Sequence, residues 1–101
     1  MNYAPLFGRI ESACLRGSAK DIDAVMDILA SADLPTTRAV DFYLGRVAEP
    51  EGIARLGDYL FRGSQIQRNY CTLFFARRDD WHLVNEAYAR GLIDAVQAYS
   101  R

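Results

Sequence analysis

The stretch SQIQRNYCTLFFAR, residues 64–77, decides the fold of this chain. Ser64 and Gln67 have the spacing of a capping box, in which each side chain bonds to the backbone N–H of the other residue. The apolar side chains that follow cover a wide arc at helical spacing: Ile66, Tyr70, Cys71, Leu73, Phe74 and Phe75. A helix that is apolar over so wide an arc is buried by its neighbours. We therefore predict a helix here, the fifth of the chain, at the centre of an all-α fold.

Apolar residues at the same 3.6-residue period predict helices on the N-terminal side of this stretch. The first covers residues 5–16, and Gly17 ends it as a left-handed cap. Ser18 begins the second helix, with Asp21 in the capping-box position. The two helix starts, at Ser18 and at Ser64, are thus predicted by the same residue pattern.

Prolines mark two further predicted helix boundaries. Pro35 is expected to break the chain, so that Thr36 or Thr37 caps a third helix. Pro50 is placed in the first turn of a fourth helix, where its missing N–H costs little.

Two more helices are predicted after residue 77. Asp79 or Asp80 caps the sixth, Gly91 ends it, and a short seventh covers residues 92–100. The sequence therefore predicts one domain over residues 1–101, an all-α, compact right-handed array of six to seven short helices.

A faint internal repeat connects the two halves of the chain. The tripeptide Arg-Gly-Ser occurs at 16–18 and again at 62–64, an offset of 46 residues. Further identities at this offset lie mainly at helix junctions. We predict pseudo-repeat units over residues 5–46 and 50–91, followed by a C-terminal helix at 92–100. The alternative is that turns in any helical bundle reuse Gly, Ser and Asp.

The second half resembles a HEAT or armadillo-type helical pair. The resemblance rests on the segments LGDYL at 56–60, IQR at 66–68 and LFFARR at 73–78. In that family an apolar helix is followed by a second helix with an arginine near its start, and repeats of about 40–47 residues stack into arrays. The resemblance implies a helical-repeat protein. Bulky aromatic residues depart from the pattern, and two units are fewer than the three usually needed, so a homo-oligomer that shares its core is an alternative to a compact domain.

Composition argues against several classes of protein. The net charge of the 101 residues is -1, with -3 in residues 1–54 and +2 in residues 55–101. Neither half has the strongly basic balance of a general nucleic-acid binder. Residues 1–10 lack the pattern of a secretory signal, and no apolar run is long enough to cross a bilayer. We expect a cytoplasmic protein without a membrane partner.

Residues suited to catalysis or metal binding are few. The single histidine, His82, has no metal-ligand spacing to another residue. Cys14 and Cys71 lie in apolar stretches and are predicted to be buried free thiols. The three acids Asp21, Asp23 and Asp27 are expected to form a solvated helix face. We predict neither an enzyme nor a cofactor or metal site.

The most informative polar residues lie around the fifth helix. We predict that they bind a partner: Arg62, Gln65, Arg68, Asn69, Arg77 and Arg78. The favoured function is a non-catalytic protein–protein interaction module, binding another protein or a second copy of itself, since arginine and tyrosine often dominate interfaces. Tyr3, Trp81 and Tyr99 are candidates for partly exposed anchors.

Two alternatives stay open for the same polar residues. In the first, residues 64–77 form the recognition helix of a small DNA-binding helix-turn-helix, with amides and arginines reading base edges. The local charge is modest for that role, and nucleic acid is the less favoured partner. In the second, these residues only cap helices and form surface ion pairs.

Overall fold

The computed structural model describes residues 2–99, and all of the regular structure in that range is helical. This confirms the all-α class and the expected number of short helices. The seven helices are α1 (Ala4–Arg16), α2 (Ala19–Ala30), α3 (Leu34–Leu44), α4 (Pro50–Arg62), α5 (Gln65–Arg77), α6 (Trp81–Ala89) and α7 (Ala95–Tyr99). None of these helices is long and apolar enough to cross a membrane.

The chain divides into two compact units, Met1–Arg55 and Leu56–Arg101. In unit 1, α1, α2 and α3 each pack against the other two. Their apolar stripes meet in a core of fully buried side chains: Ile10, Cys14, Ile22, Val25, Met26, Leu29, Val40 and Leu44. The helical spacing of these residues is what places them on one face of each helix.

The junction between α1 and α2 is confirmed in its predicted form. Gly17 has φ 66°, in the left-handed region that glycine enters without steric cost, and its N–H bonds to the carbonyl of Ala13. The Ser18 and Asp21 side chains each accept a hydrogen bond from the other residue's backbone N–H. Two N–H groups that the helix leaves unpaired are satisfied in this way.

The predicted start of α3 is wrong. The helix begins at Leu34, and Asp33 caps it by accepting a bond from the Thr36 N–H at 3.0 Å. Pro35 lies within the first turn, where a residue without an N–H is tolerated. The hydroxyl of Thr37 instead donates to the Leu34 carbonyl at 2.8 Å, and both threonines are buried.

In unit 2, α5 packs against both α6 and α7. The Ser64–Gln67 capping box that begins α5 is confirmed. The buried residues of this helix are Cys71, Thr72, Phe74, Phe75 and Ala76. The rings of Phe74 and Phe75 meet edge to face at 5.0 Å between centroids.

The predicted starts of the last two helices need correction. Asp80 is the N-cap residue of α6, but its carboxylate pairs with Arg78 at 3.3 Å and makes no capping bond. The last helix begins at Ala95 and not at residue 92. Asp94 and Gln97 exchange backbone-to-side-chain hydrogen bonds of 3.1 and 2.8 Å, which fixes that start. The predicted end of this helix at residue 100 lies outside the described residues.

Helices in the two halves of the chain begin at a constant sequence interval. Both α1 and α4 have 13 residues, and their first and last residues are each 46 positions apart. The starts of α2 and α5 are also 46 positions apart. The internal repeat and the HEAT-type resemblance stay predictions.

Candidate functional site

The six predicted partner-binding residues do not form one patch. Arg62 and Gln65 are exposed near the start of α5, whereas Arg77 and Arg78 are exposed at its end. Gln65 and Arg77 are 12 residues apart, which corresponds to about 18 Å along the helix axis. A partner would need an extended surface to contact both ends.

The other two of these residues, Arg68 and Asn69, are half-buried. The Arg68 guanidinium donates from Nη1 to the Gly63 carbonyl at 2.7 Å and from Nε to the Leu92 carbonyl at 2.9 Å. Asn69 Oδ1 is buried and accepts no hydrogen bond among the described residues. Arg68 therefore holds the start of α5 to the segment between α6 and α7.

The thiols are in surroundings that keep them protonated. Burial raises the pKa of Cys71 to about 12, and burial together with the nearby Asp21 charge raises the pKa of Cys14 to about 12. A cysteine nucleophile requires the thiolate, which these surroundings disfavour. Within residues 2–99 no group of three or more His, Cys, Asp or Glu side chains is arranged to hold a metal ion.

The predicted acidic face of α2 is mostly paired. Asp21 accepts from Arg16 Nη2 at 2.9 Å, and the Arg16 and Ser18 hydrogen bonds lower its pKa. Asp23 receives two bonds from Arg55, at 2.8 and 2.9 Å, in the forked geometry typical of arginine and a carboxylate. Asp27 alone of the three is exposed.

Unit 2 carries a group of partly exposed aromatic residues, which we call the aromatic cluster: Trp81, Tyr88 and Tyr99. Trp81 and Tyr88 are seven residues apart on α6 and so lie on one face of that helix. Tyr99 comes from α7, stacks on Trp81 at 6.3 Å and meets Tyr88 edge to face at 5.6 Å between ring centroids. The cluster is therefore built by the packing of α6 against α7.

Contacts within the aromatic cluster hold its rings in place while leaving them accessible. The Tyr99 hydroxyl donates to Asn85 Oδ1 at 2.9 Å. Tyr88 is 42% exposed, Tyr99 is 51% exposed, and the neighbouring Val96 is 72% exposed. Aromatic pairs of this geometry contribute about 0.5–1.5 kcal/mol beyond the area that they bury.

Sequence reasoning found two members of the aromatic cluster and missed the third. Trp81 and Tyr99 are among the predicted anchors, whereas Tyr88, one helical turn after the buried Val84, is not singled out by the sequence. The sequence feature that points to Tyr88 is its seven-residue spacing from Trp81. This spacing indicates a shared aromatic surface only when α7 is known to lie beside α6.

No protein-family model matches the sequence, and comparisons with curated proteins and with solved structures give no significant match.

Proposed function

We propose that this chain is a non-catalytic protein–protein interaction module that binds its partner through the aromatic cluster. The carrying observation is that Tyr88 and Tyr99 are each more than two-fifths exposed although they contact other rings. Tryptophan, tyrosine and arginine are the side chains that most often dominate binding energy at protein interfaces. The ordered rings would also lose little conformational entropy when a partner covers them.

Val96 and Asn85 extend the surface around the aromatic cluster. Val96 is 72% exposed and lies three residues before Tyr99 on α7, a spacing that makes two helical side chains neighbours. Asn85, which accepts the Tyr99 hydroxyl hydrogen bond at 2.9 Å, is exposed and supplies a polar group beside the rings, as is usual at the edge of a binding surface.

The polar start of α5 gives less support to the DNA-binding alternative. Arg68 donates both of its described hydrogen bonds to backbone carbonyls, and Gln67 accepts from the Ser64 N–H at 2.8 Å. Reading a base edge with either side chain would break these bonds. The middle of α5 is also buried, so only its first turn could contact the bases in a DNA groove.

Site-specific photo-crosslinking tests the proposed function. A benzophenone amino acid at position 88 is compared in cells of the source organism with the same group at position 42, because Phe42 is 62% exposed but lies on α3. We expect a discrete protein adduct from position 88, identifiable by mass spectrometry, and no such adduct from position 42. Equal yields from the two positions would contradict the proposal.

Two further titrations test the competing function classes. Duplex DNA is added at two salt concentrations, because phosphate contacts make affinity fall steeply with salt. Salt-dependent binding that is lost in Arg68→Ala would favour the DNA-binding alternative. A panel of metabolites and metals is then screened by thermal shift, and a strong, specific shift would count against a non-catalytic module.

A further inference from the structure

The outward face of α1 is unusual for a helix in contact with water. Ala4, Gly8 and Ser12 follow one another at four-residue spacing, and all three are exposed. Leu15, seven residues after Gly8 on the same side, is 55% exposed. Small side chains therefore alternate on this face with the exposed Arg9 and Arg16, whereas a solvated helix face is normally covered by polar side chains throughout.

Gly8 is the least explained residue of this face. Glycine in a helix interior is unfavourable compared with alanine, and a Cβ at Gly8 would meet nothing within 4 Å. Gly52 in α4 is different, because its Cβ would lie 2.5 Å from the Gly17 carbonyl oxygen, so close packing within the chain explains that glycine. At Gly8 the space that the missing side chain leaves is open.

This face of α1 forms one wall of an open groove of about 800 Å³, and α2 forms the other wall. We call it the α1/α2 groove. Arg16 and Asp21 lie in it and neutralise each other through their ion pair. Arg9 on the α1 wall and Asp27 on the α2 wall make no hydrogen bond or ion pair with any residue in the range 2–99. The groove thus presents one unpaired positive and one unpaired negative side chain.

An arginine in the equivalent position of another helix shows how Arg9 can be used. Arg55 lies 46 positions after Arg9, in a helix of the same length. It pairs with Asp23 on α2 through two hydrogen bonds. Asp27 lies one helical turn after Asp23 and is the next carboxylate along α2.

We propose that the α1/α2 groove is the interface of a two-fold symmetric homodimer, in which Arg9 of each copy pairs with Asp27 of the other. A two-fold interface must be self-complementary, and a surface with one free charge of each sign meets that requirement. Ala4, Gly8 and Ser12 let the helices of the second copy approach closely. The groove is lined by residues of unit 1 and the aromatic cluster by residues of unit 2, so variants test each proposal independently and either can fail alone.

Sedimentation equilibrium of the full chain, over about 10 to 500 µM so that a micromolar dissociation constant falls within the range, tests the proposal. We expect the mass to rise from 11.4 kDa towards twice that value as concentration increases. Arg9→Asp and Asp27→Arg are each expected to weaken dimerisation at least tenfold. The double variant restores it, because the exchanged charges attract again. Gly8→Leu, which fills open space in the monomer, blocks the dimer by bulk.

Arg38→Asp is the matched control, since Arg38 is exposed on α3 and lies outside the groove. This variant is expected to dimerise like the wild type, and circular dichroism establishes that every variant is helical. A chain that stays monomeric to 500 µM, a dimer that survives both single charge reversals, or a double variant that stays monomeric would each overturn the proposal. Tyr99→Ala, which tests the aromatic cluster, should dimerise over the same concentration range as the wild type.

Discussion

Asp33 shows how one carboxylate can organise a helix start. It accepts a hydrogen bond from the Tyr3 hydroxyl at 2.6 Å and another from the Thr36 N–H at 3.0 Å. These bonds, those from Thr36 foremost, hold the pKa of Asp33 below its usual value of 3.8. Because Thr36 and Thr37 are themselves common N-cap residues, sequence reasoning assigned the cap to them. With Asp33 as the N-cap residue, Pro35 lies inside the first turn, where a missing N–H is tolerated.

The lowered pKa of Asp33 predicts a pH dependence of stability. A carboxyl whose pKa is lower in the folded state stabilises the fold above its unfolded pKa, and the effect is lost as pH falls through the folded pKa. Asp33→Asn keeps an acceptor for Thr36 but carries no charge. Urea unfolding at neutral pH and below pH 3.8 should show that this variant loses less stability on acidification than the wild type. Equal losses would mean that Asp33 titrates alike in both states.

A substitution at Phe74 tests whether this single residue belongs to the core of unit 2. It is 5% exposed and contacts the fully buried Phe75. Phe74→Ala should lower the free energy of unfolding by about 3–5 kcal/mol, because it leaves a cavity. Phe42→Ala is the exposed control and should change it by less than about 0.5 kcal/mol. Denaturant titration measures both, and a fully tolerated Phe74→Ala would show that the core is misassigned.

At the scale of elements, local sequence patterns were most informative where a helix start carries its own cap. The Ser18 and Ser64 boxes and the left-handed Gly17 involve residues within a few positions of one another, so the sequence contains the whole interaction. The predicted start of α7 is wrong because the spacing of Asp94 and Gln97 is also that of a capping box, and the prediction did not use it. The failure of Asp80 to cap α6 could not be predicted, since it depends on competition with Arg78 for the carboxylate.

Variants of the two capping boxes test whether these local helix starts stabilise the fold. Ser18→Ala and Ser64→Ala should each lower the free energy of unfolding by about 1 kcal/mol, because a backbone N–H at the helix start loses its acceptor. Ser31→Ala is the matched control, since Ser31 is exposed at the end of α2, where its side chain caps no N–H. If both capping variants unfold like the control in urea, the boxes contribute nothing to stability.

At the scale of the whole molecule, periodicity predicted the helical class, but it did not predict the candidate site. The six polar residues around α5 are close in sequence, yet the helix separates them into two groups, and Arg68 bonds inward. The aromatic cluster requires α7 to lie beside α6, which is a tertiary contact that no local pattern contains. The α1/α2 groove could not be predicted, because the sequence shows a glycine within a helix but neither the open space beside Gly8 nor the second wall that α2 supplies.

Affinity for the protein captured at position 88 is the most direct measurement of the central claim. The purified partner is titrated into the chain, and the emission of Trp81, the single tryptophan, reports binding at the aromatic cluster itself. We predict a saturable emission change, with Tyr99→Ala weakening binding at least tenfold, equal to about 1.4 kcal/mol, and Phe42→Ala leaving it unchanged. Binding that leaves Trp81 emission constant, or that Tyr99→Ala does not weaken, would contradict the assignment of this cluster as the binding surface.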